Sequence, residues 1–114
     1  MDKERLPDFF RDQLPDAIKR IVDHPDHDPL GEWVDDYTYM TQYTHPIIAR
    51  SGEESETTLA TIMSVSSEIA PTVGQEVCLY GVWVTIVSVL RDIEADEDDG
   101  RTITFYTATV KASK

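Results

Sequence analysis

The chain lacks several features that would narrow its class. Cys78 is its only cysteine among 114 residues, so no internal disulfide can form, and its place inside a strand pattern predicts a buried free thiol. No stretch approaches the about 18 apolar residues of a membrane span, so we expect no membrane association. The first ten residues are charged and lack an apolar run, so we expect no secretory signal. The five glycines are scattered, which excludes a glycine-rich phosphate loop.

Basic residues are also scarce. Ten lysines and arginines stand against 22 aspartates and glutamates, which gives a formal net charge of −12. Such a surface repels nucleic-acid phosphates, so we expect no direct, sequence-specific binding of nucleic acid. Three interpretations stay open. The acidity lines a path along which DNA slides without sticking, it mimics DNA to occupy a basic partner, or it only keeps the protein soluble.

The length predicts a single domain over residues 1–114. Its first part, residues 1–31, is expected to be a helical segment and a loop. Apolar residues at helical spacing predict a short turn at 8–13 and a firmer helix at 15–23, each beginning at a proline. A single helix kinked at Pro15 is the alternative. The sequence HPDHDPLG that follows, with two prolines and a glycine, predicts a loop.

The second part, residues 33–112, has the period-two patterns of a β module. A strand is predicted at 33–45, and residues 50–57 are expected to form a mobile loop or a long hairpin tip. The strand at 82–89 is apolar on both faces, so we expect it to be central and covered on both sides. We therefore predict an α+β, mainly β fold, in which the N-terminal helix packs on a small antiparallel, SH3-like or OB-like barrel.

Residues 92–100 are expected to form an acidic hairpin tip. Counted as a calcium loop from Glu94, position 6 is Asp99 and position 12 is Phe105, where glycine and glutamate are needed. The tip is therefore predicted to project mobile charge toward a basic partner. Its candidate partner-binding residues are Asp92, Glu94, Asp96, Glu97, Asp98 and Asp99. Trp33 and Trp83 join them as candidate aromatic anchors, because aromatic residues concentrate at interfaces.

Catalytic and metal chemistry have little support. His24 and His27 are weak candidates for zinc or manganese, but they lie in a proline-rich loop and not on a helix that would fix both rings. We expect solvated histidines, no metal site and no cofactor. Cys78 has no histidine near it in sequence, so no nucleophile set is recognisable and we expect no catalytic residues and no enzyme activity.

One segment resembles a known family. Residues 65–92, VSSEIAPTVGQEVCLYGVWVTIVSVLRD, are similar to the C-terminal half of bacteriophage head–tail joining proteins, the small stopper or head-completion proteins. The resemblance lies in the order of an SSEIAP step, a VGQEV turn and strand, a YG step and a WVTIVSV strand. Gln75 stands where an aspartate is common in that family, and the acidic tract 92–100 is longer than usual.

The resemblance implies a structural virion protein, a head–tail connector, or neck, component of a tailed phage. Such a protein is assembled in the host cytoplasm, forms a ring homo-oligomer in assembly and joins the portal to tail or other neck proteins. The ring would line a DNA conduit. The alternative is an acidic, cytoplasmic DNA mimic that inhibits a host nuclease or DNA-binding protein. A cellular acidic adaptor domain is a third interpretation.

Overall fold

The computed structural model describes residues 7–65, 70–98 and 100–113. Two short helices open the described chain, α1 (Asp8–Arg11) and α2 (Asp16–Val22). Each helix follows a proline, which costs nothing in a first turn, and opens on an aspartate that suits the positive helix end. The predicted turn and helix are confirmed.

Five strands form one curled, half-barrel sheet. They are β1 (Tyr39–Ile48), β2 (Glu54–Ser64), β3 (Glu76–Leu79), β4 (Val82–Ala95) and β5 (Thr102–Ala112). Their order across the sheet is β2-β1-β5-β4-β3, so β2 and β3 are the edges. The mainly β, α+β class is confirmed.

One strand pair departs from the predicted antiparallel pairing. The β1–β2, β3–β4 and β4–β5 pairs are antiparallel, whereas β1 and β5 are parallel. The chain leaves the β1–β2 hairpin, crosses to the far edge and builds β3, β4 and β5 as a meander that returns beside β1. This return brings β5 alongside β1 in the same direction.

The core lies between the helices and one face of the sheet. Cross-strand partners share a face, so Tyr43 lies with Ala108, which in turn lies with Val89 on β4. Helix α2 packs over β4 and β5 at this face, which we call the inner face. The buried cluster consists of Leu14, Ile18, Ile21, Tyr43, Ile47, Leu59, Leu79, Val82, Val84, Ile86, Ala108 and Val110.

Loop 24–31 bridges the two edges of the half-barrel. On the β2 side, His27 Nε2 donates to the carbonyl oxygen of Leu59 at 2.9 Å. On the β3 side, the Tyr80 hydroxyl accepts from the Asp28 backbone N–H at 3.0 Å and lies 3.2 Å from the Asp28 carbonyl oxygen. The loop predicted from its prolines is therefore a structural strap between the edge strands.

Two predicted boundaries in this region are wrong. The strand expected at 33–45 begins only at Tyr39, because Asp36 has a φ of 59°, in the left-handed region that extended backbone avoids. The loop or hairpin tip expected at 50–57 does join the β1–β2 hairpin but is shorter than predicted, because a tight turn closed by Ala49 and Glu53 leads directly into β2. Residues 54–57 pair with the end of β1.

Two burial predictions are also wrong. The strand at 82–89 is covered on one face only, because the helices pack on the inner face of the sheet and β4 lies next to the edge strand β3. Cys78 is exposed, because its cross-strand partner is the exposed Trp83 on the opposite, outer face.

Candidate partner-binding surface

The outer face of β4 presents a line of solvent-exposed side chains. Register places Trp83 beside Cys78, Leu90 beside Thr107, Asp92 beside Phe105 and Glu94 beside Ile103. A β-bulge between Ile86 and Ser88 adds the exposed Val87 to this line. We call Trp83, Val87, Leu90, Asp92 and Glu94 the outer stripe.

The first part of the outer stripe is apolar and open to solvent. The exposed fractions are 58% for Trp83, 41% for Val87 and 71% for Leu90. At the usual rise of a strand, Trp83 and Leu90 are about 23 Å apart along the chain. Aligned apolar side chains that face water on one sheet surface mark an interaction site more often than single exposed residues do.

The acidic residues do not form the single hairpin tip that the sequence predicts. Strand β4 continues to Ala95, so Asp92 and Glu94 lie on the strand and point to the outer face. Only the later acids belong to the turn. Both Asp92 and Glu94 are exposed, and neither is in an ion pair within the part of the chain that the structure describes.

The turn itself is organised around Asp96. Its side chain accepts a hydrogen bond from the Asp98 N–H at 2.9 Å, and its Oδ2 lies 3.6 Å from Arg101 Nη2. Its N–H donates to the Arg101 carbonyl oxygen at 2.6 Å. Glu97 and Asp98 are exposed, whereas the predicted Asp99 lies outside the described residues. Arg101 thus already offsets part of the charge that was predicted to make this turn mobile.

An aromatic row adjoins the acidic end of the outer stripe. The Trp33 ring meets Tyr37 edge-on at a centroid distance of 5.5 Å, and Tyr37 meets Phe105 at 6.5 Å. Phe105 is the cross-strand partner of Asp92. The structure therefore brings the predicted anchor Trp33, which is 65% exposed, to the side of the sheet that carries the acidic residues.

The second predicted anchor, Trp83, lies at the other end of the outer stripe. Asp92 lies nine positions after Trp83 along β4, a distance of about 30 Å in a strand. The residues that connect the two ends, Val87 and Leu90, are absent from the sequence-based set. The sequence did carry a signal for them, because β4 has apolar residues at both odd and even positions. That pattern predicts burial of both faces of the strand, whereas the structure leaves one face exposed.

The two histidines contribute to the strap. His24 Nδ1 accepts from the Asp26 N–H at 3.0 Å, and the rings of His24 and His27 pack against Tyr80 at 5.4 and 5.3 Å. Across the described ranges, no group of three or more histidine, cysteine or acidic residues could hold a metal ion.

A small pocket opens on the inner face beyond the helices. Its volume is about 60 Å³, far below the about 300–1,000 Å³ of small-molecule sites. The lining residues are Tyr39, Thr41, Tyr43, Ile62, Ser64, Pro71 and Gln75.

Another ion pair lies away from the outer stripe. Arg11 Nε donates to Asp23 Oδ1 at 2.9 Å, which ties α1 to the end of α2. The hydrogen bond and the charge of Asp23 raise the pKa of the Arg11 guanidinium above its usual range. The stabilisation by this pair is present below the ordinary arginine pKa and is lost only as the pH rises through the raised value. The pair is therefore intact throughout the neutral range.

Comparisons of the chain with protein-family models, curated proteins and solved structures give no match. Within the described residues, no helix has both the length and the apolar character that crossing a membrane requires. Evidence about function therefore comes from the outer stripe, the charge and the resemblance of residues 65–92.

Proposed function

We propose that this protein is a connector component at the head–tail junction of a tailed phage. The observation that carries the proposal is the outer stripe, whose first part is an exposed apolar line on the face of the half-barrel opposite the helices. The segment that resembles head–tail joining proteins, residues 65–92, contains β3 and most of β4, including Trp83, Val87 and Leu90. The resemblance and the exposed surface thus fall on the same part of the chain.

Ring assembly is compatible with a one-sided surface of this kind. Subunits in a ring contact each other, and the proteins above and below them, through different surface patches. Each patch must therefore fit a different surface and not a copy of itself. The outer stripe would supply one such patch for a portal, tail or neck protein.

The net charge of −12 supports a conduit role for the assembled ring. Carboxylates repel DNA phosphates, so a lumen lined with them would let DNA pass without binding it. The protein would then act by assembly and electrostatic exclusion, with no catalytic step.

The test is the native mass of the assembly that contains the protein. The tagged chain would be purified gently from its source, sized by native mass spectrometry, and its co-purifying chains identified. The proposal predicts a ring-sized particle with portal or tail proteins. A one-to-one complex with a basic nuclease or DNA-binding protein would instead support the DNA-mimic alternative.

The salt dependence of the same complex separates the two functions. Contacts made through Trp83 and Leu90 should persist as ionic strength rises, because apolar burial is insensitive to screening. A DNA mimic that replaces phosphates should lose affinity steeply over the same range, since its binding is mainly electrostatic.

A further inference from the structure

We propose that the outer stripe docks a segment of a partner protein that carries apolar side chains at one end and an arginine at the other. The apolar side chains would cover Trp83, Val87 and Leu90, and the arginine would bind Asp92 and Glu94. This inference rests on the proposed function and specifies the chemistry of the partner at that surface.

The apolar half sets the register of the partner. Trp83, Val87 and Leu90 lie on one strand, and the bulge at Val87 bends their line. Burying a tryptophan and a leucine contributes more binding free energy than the rim contacts around them, because anchors of this kind dominate interfaces. The docked segment must therefore offer apolar groups over a length of about 23 Å.

The charge of the outer stripe indicates that the docked segment is basic. Asp92 and Glu94 continue the outer stripe as two exposed carboxylates without ion-pair partners in the described part of the chain. A second copy of this chain has 22 acidic residues against ten basic ones and is poorly suited to supply the cation that these carboxylates need, so copies within a ring would meet through other patches. Nucleic acids and anionic membranes carry negative charge and are repelled. A basic protein segment is the complementary occupant.

The aromatic row favours arginine over lysine. Phe105 is the cross-strand neighbour of Asp92, and its ring adjoins Tyr37 and then the exposed Trp33. A guanidinium can bind a carboxylate in bidentate fashion and also stack on an aromatic face, whereas an ammonium is a compact, strongly hydrated point charge. Asp92 and Phe105 together provide both contacts.

The experiment is a selection with a library of random dodecapeptides displayed on phage, against the immobilised full chain. The expected result is enrichment of peptides that carry apolar residues over most of their length and an arginine toward one end. Affinities of the enriched peptides would then be measured by titration. Failure to enrich any peptide, or enrichment of acidic peptides, would overturn the proposal.

Matched variants locate the binding surface. Leu90→Asp should abolish binding, while Leu30→Asp should leave it unchanged, because Leu30 is equally exposed at 71% but lies on the strap. Asp92→Asn with Glu94→Gln should weaken binding about three- to tenfold, as expected for two exposed ion pairs. Glu53→Gln with Glu54→Gln removes the same charge at the β1–β2 turn and should have no effect.

A charge exchange tests the arginine itself. Asp92→Arg should reject the selected peptides and accept versions in which their arginine is replaced by glutamate. Replacing arginine by lysine in the peptide should cost affinity with the wild-type chain. Equal binding of arginine and lysine peptides, or of wild-type and Asp92→Arg chains, would contradict the assignment.

This outcome is independent of the assembly test. A ring-sized native particle with no peptide selection at the stripe would retain the connector function and remove this docking mode. Peptide binding at the outer stripe without any ring-sized particle would support the docking mode and remove the connector function.

Discussion

Gly31 is the glycine at which an added side chain would have the least room. Its φ is +67°, and a Cβ there would overlap the backbone carbonyl oxygen of Thr61 on β2. Gly31→Ala should therefore lower the free energy of unfolding by about 2–4 kcal/mol, from left-handed strain and overlap together. Urea denaturation measures this loss.

Gly52→Ala is the matched control for that substitution. Gly52 also has a positive φ, +87°, but nothing lies within 4 Å of its added Cβ. It should lose only the strain contribution, about 1–2 kcal/mol. Equal losses at the two positions would show that the strap does not approach β2 as closely as described.

The Tyr80 hydroxyl is a second residue-scale test of the strap. It bonds both backbone groups of Asp28. Tyr80→Phe should cost about 1 kcal/mol, since two partly exposed hydrogen bonds are lost while the ring contacts with the histidines stay. Tyr39→Phe serves as control, because no hydrogen bond of that hydroxyl is found among the described residues. Thermal unfolding compares them, and an unchanged Tyr80→Phe melting temperature would refute the role.

The burial and contacts of individual side chains were the hardest features to predict from the sequence. Cys78 was predicted to be buried because it lies in an apolar strand, but its face is decided by which side the helices cover. His24 and His27 were assigned to solvent because they lie in a proline-rich loop. Their contacts with Tyr80 join segments more than 50 residues apart, and no local pattern encodes such a pairing.

At the scale of elements, Gln13 joins the helices to the sheet. Its Nε2 donates to the Ile48 carbonyl oxygen at 2.9 Å, and its Oε1 accepts from the Ile48 N–H at 2.6 Å. Gln13→Leu should destabilise the chain by about 1–2 kcal/mol. It should also increase hydrogen exchange at the Ile48 amide. The neighbouring Asp12→Ala should not, and unchanged exchange in Gln13→Leu would contradict the contact.

The helices and most strands were predictable because their signals are local. Prolines and apolar spacing placed α1 and α2, and period-two alternation placed most of β1 and the first part of β4. The end of β4 was missed because Asp92 and Glu94 were interpreted as turn residues. They alternate with Ile93 and Ala95, so the period-two pattern in fact continues. Alternating acidic and apolar residues are typical of a strand that has one charged face in solvent.

At the scale of the whole molecule, the core depends on α2 covering the inner face. Ile18 is fully buried there, in the cluster formed with the sheet. Ile18→Ala should lower the free energy of unfolding by about 2–5 kcal/mol, through lost burial and the cavity left behind. Chemical denaturation followed by circular dichroism measures it. A loss below about 1 kcal/mol would show that α2 does not belong to the cooperative core.

The covered face could not be derived from the sequence. Strand β4 is apolar at both parities, and local patterns cannot say whether one or two layers pack on it. The parallel return of β5 beside β1 and the small size of α1 and α2 leave helices for one face only. The exposed outer stripe, and with it the candidate site, is a consequence of that arrangement.

We propose that the protein assembles through the outer stripe. The most direct measurement is the native mass of the particle recovered from the source with Leu90→Asp, compared with Leu30→Asp. We expect the Leu30→Asp chain to enter a ring-sized particle with portal or tail proteins, and the folded Leu90→Asp chain to stay outside it. Incorporation of both chains to the same extent would contradict the claim.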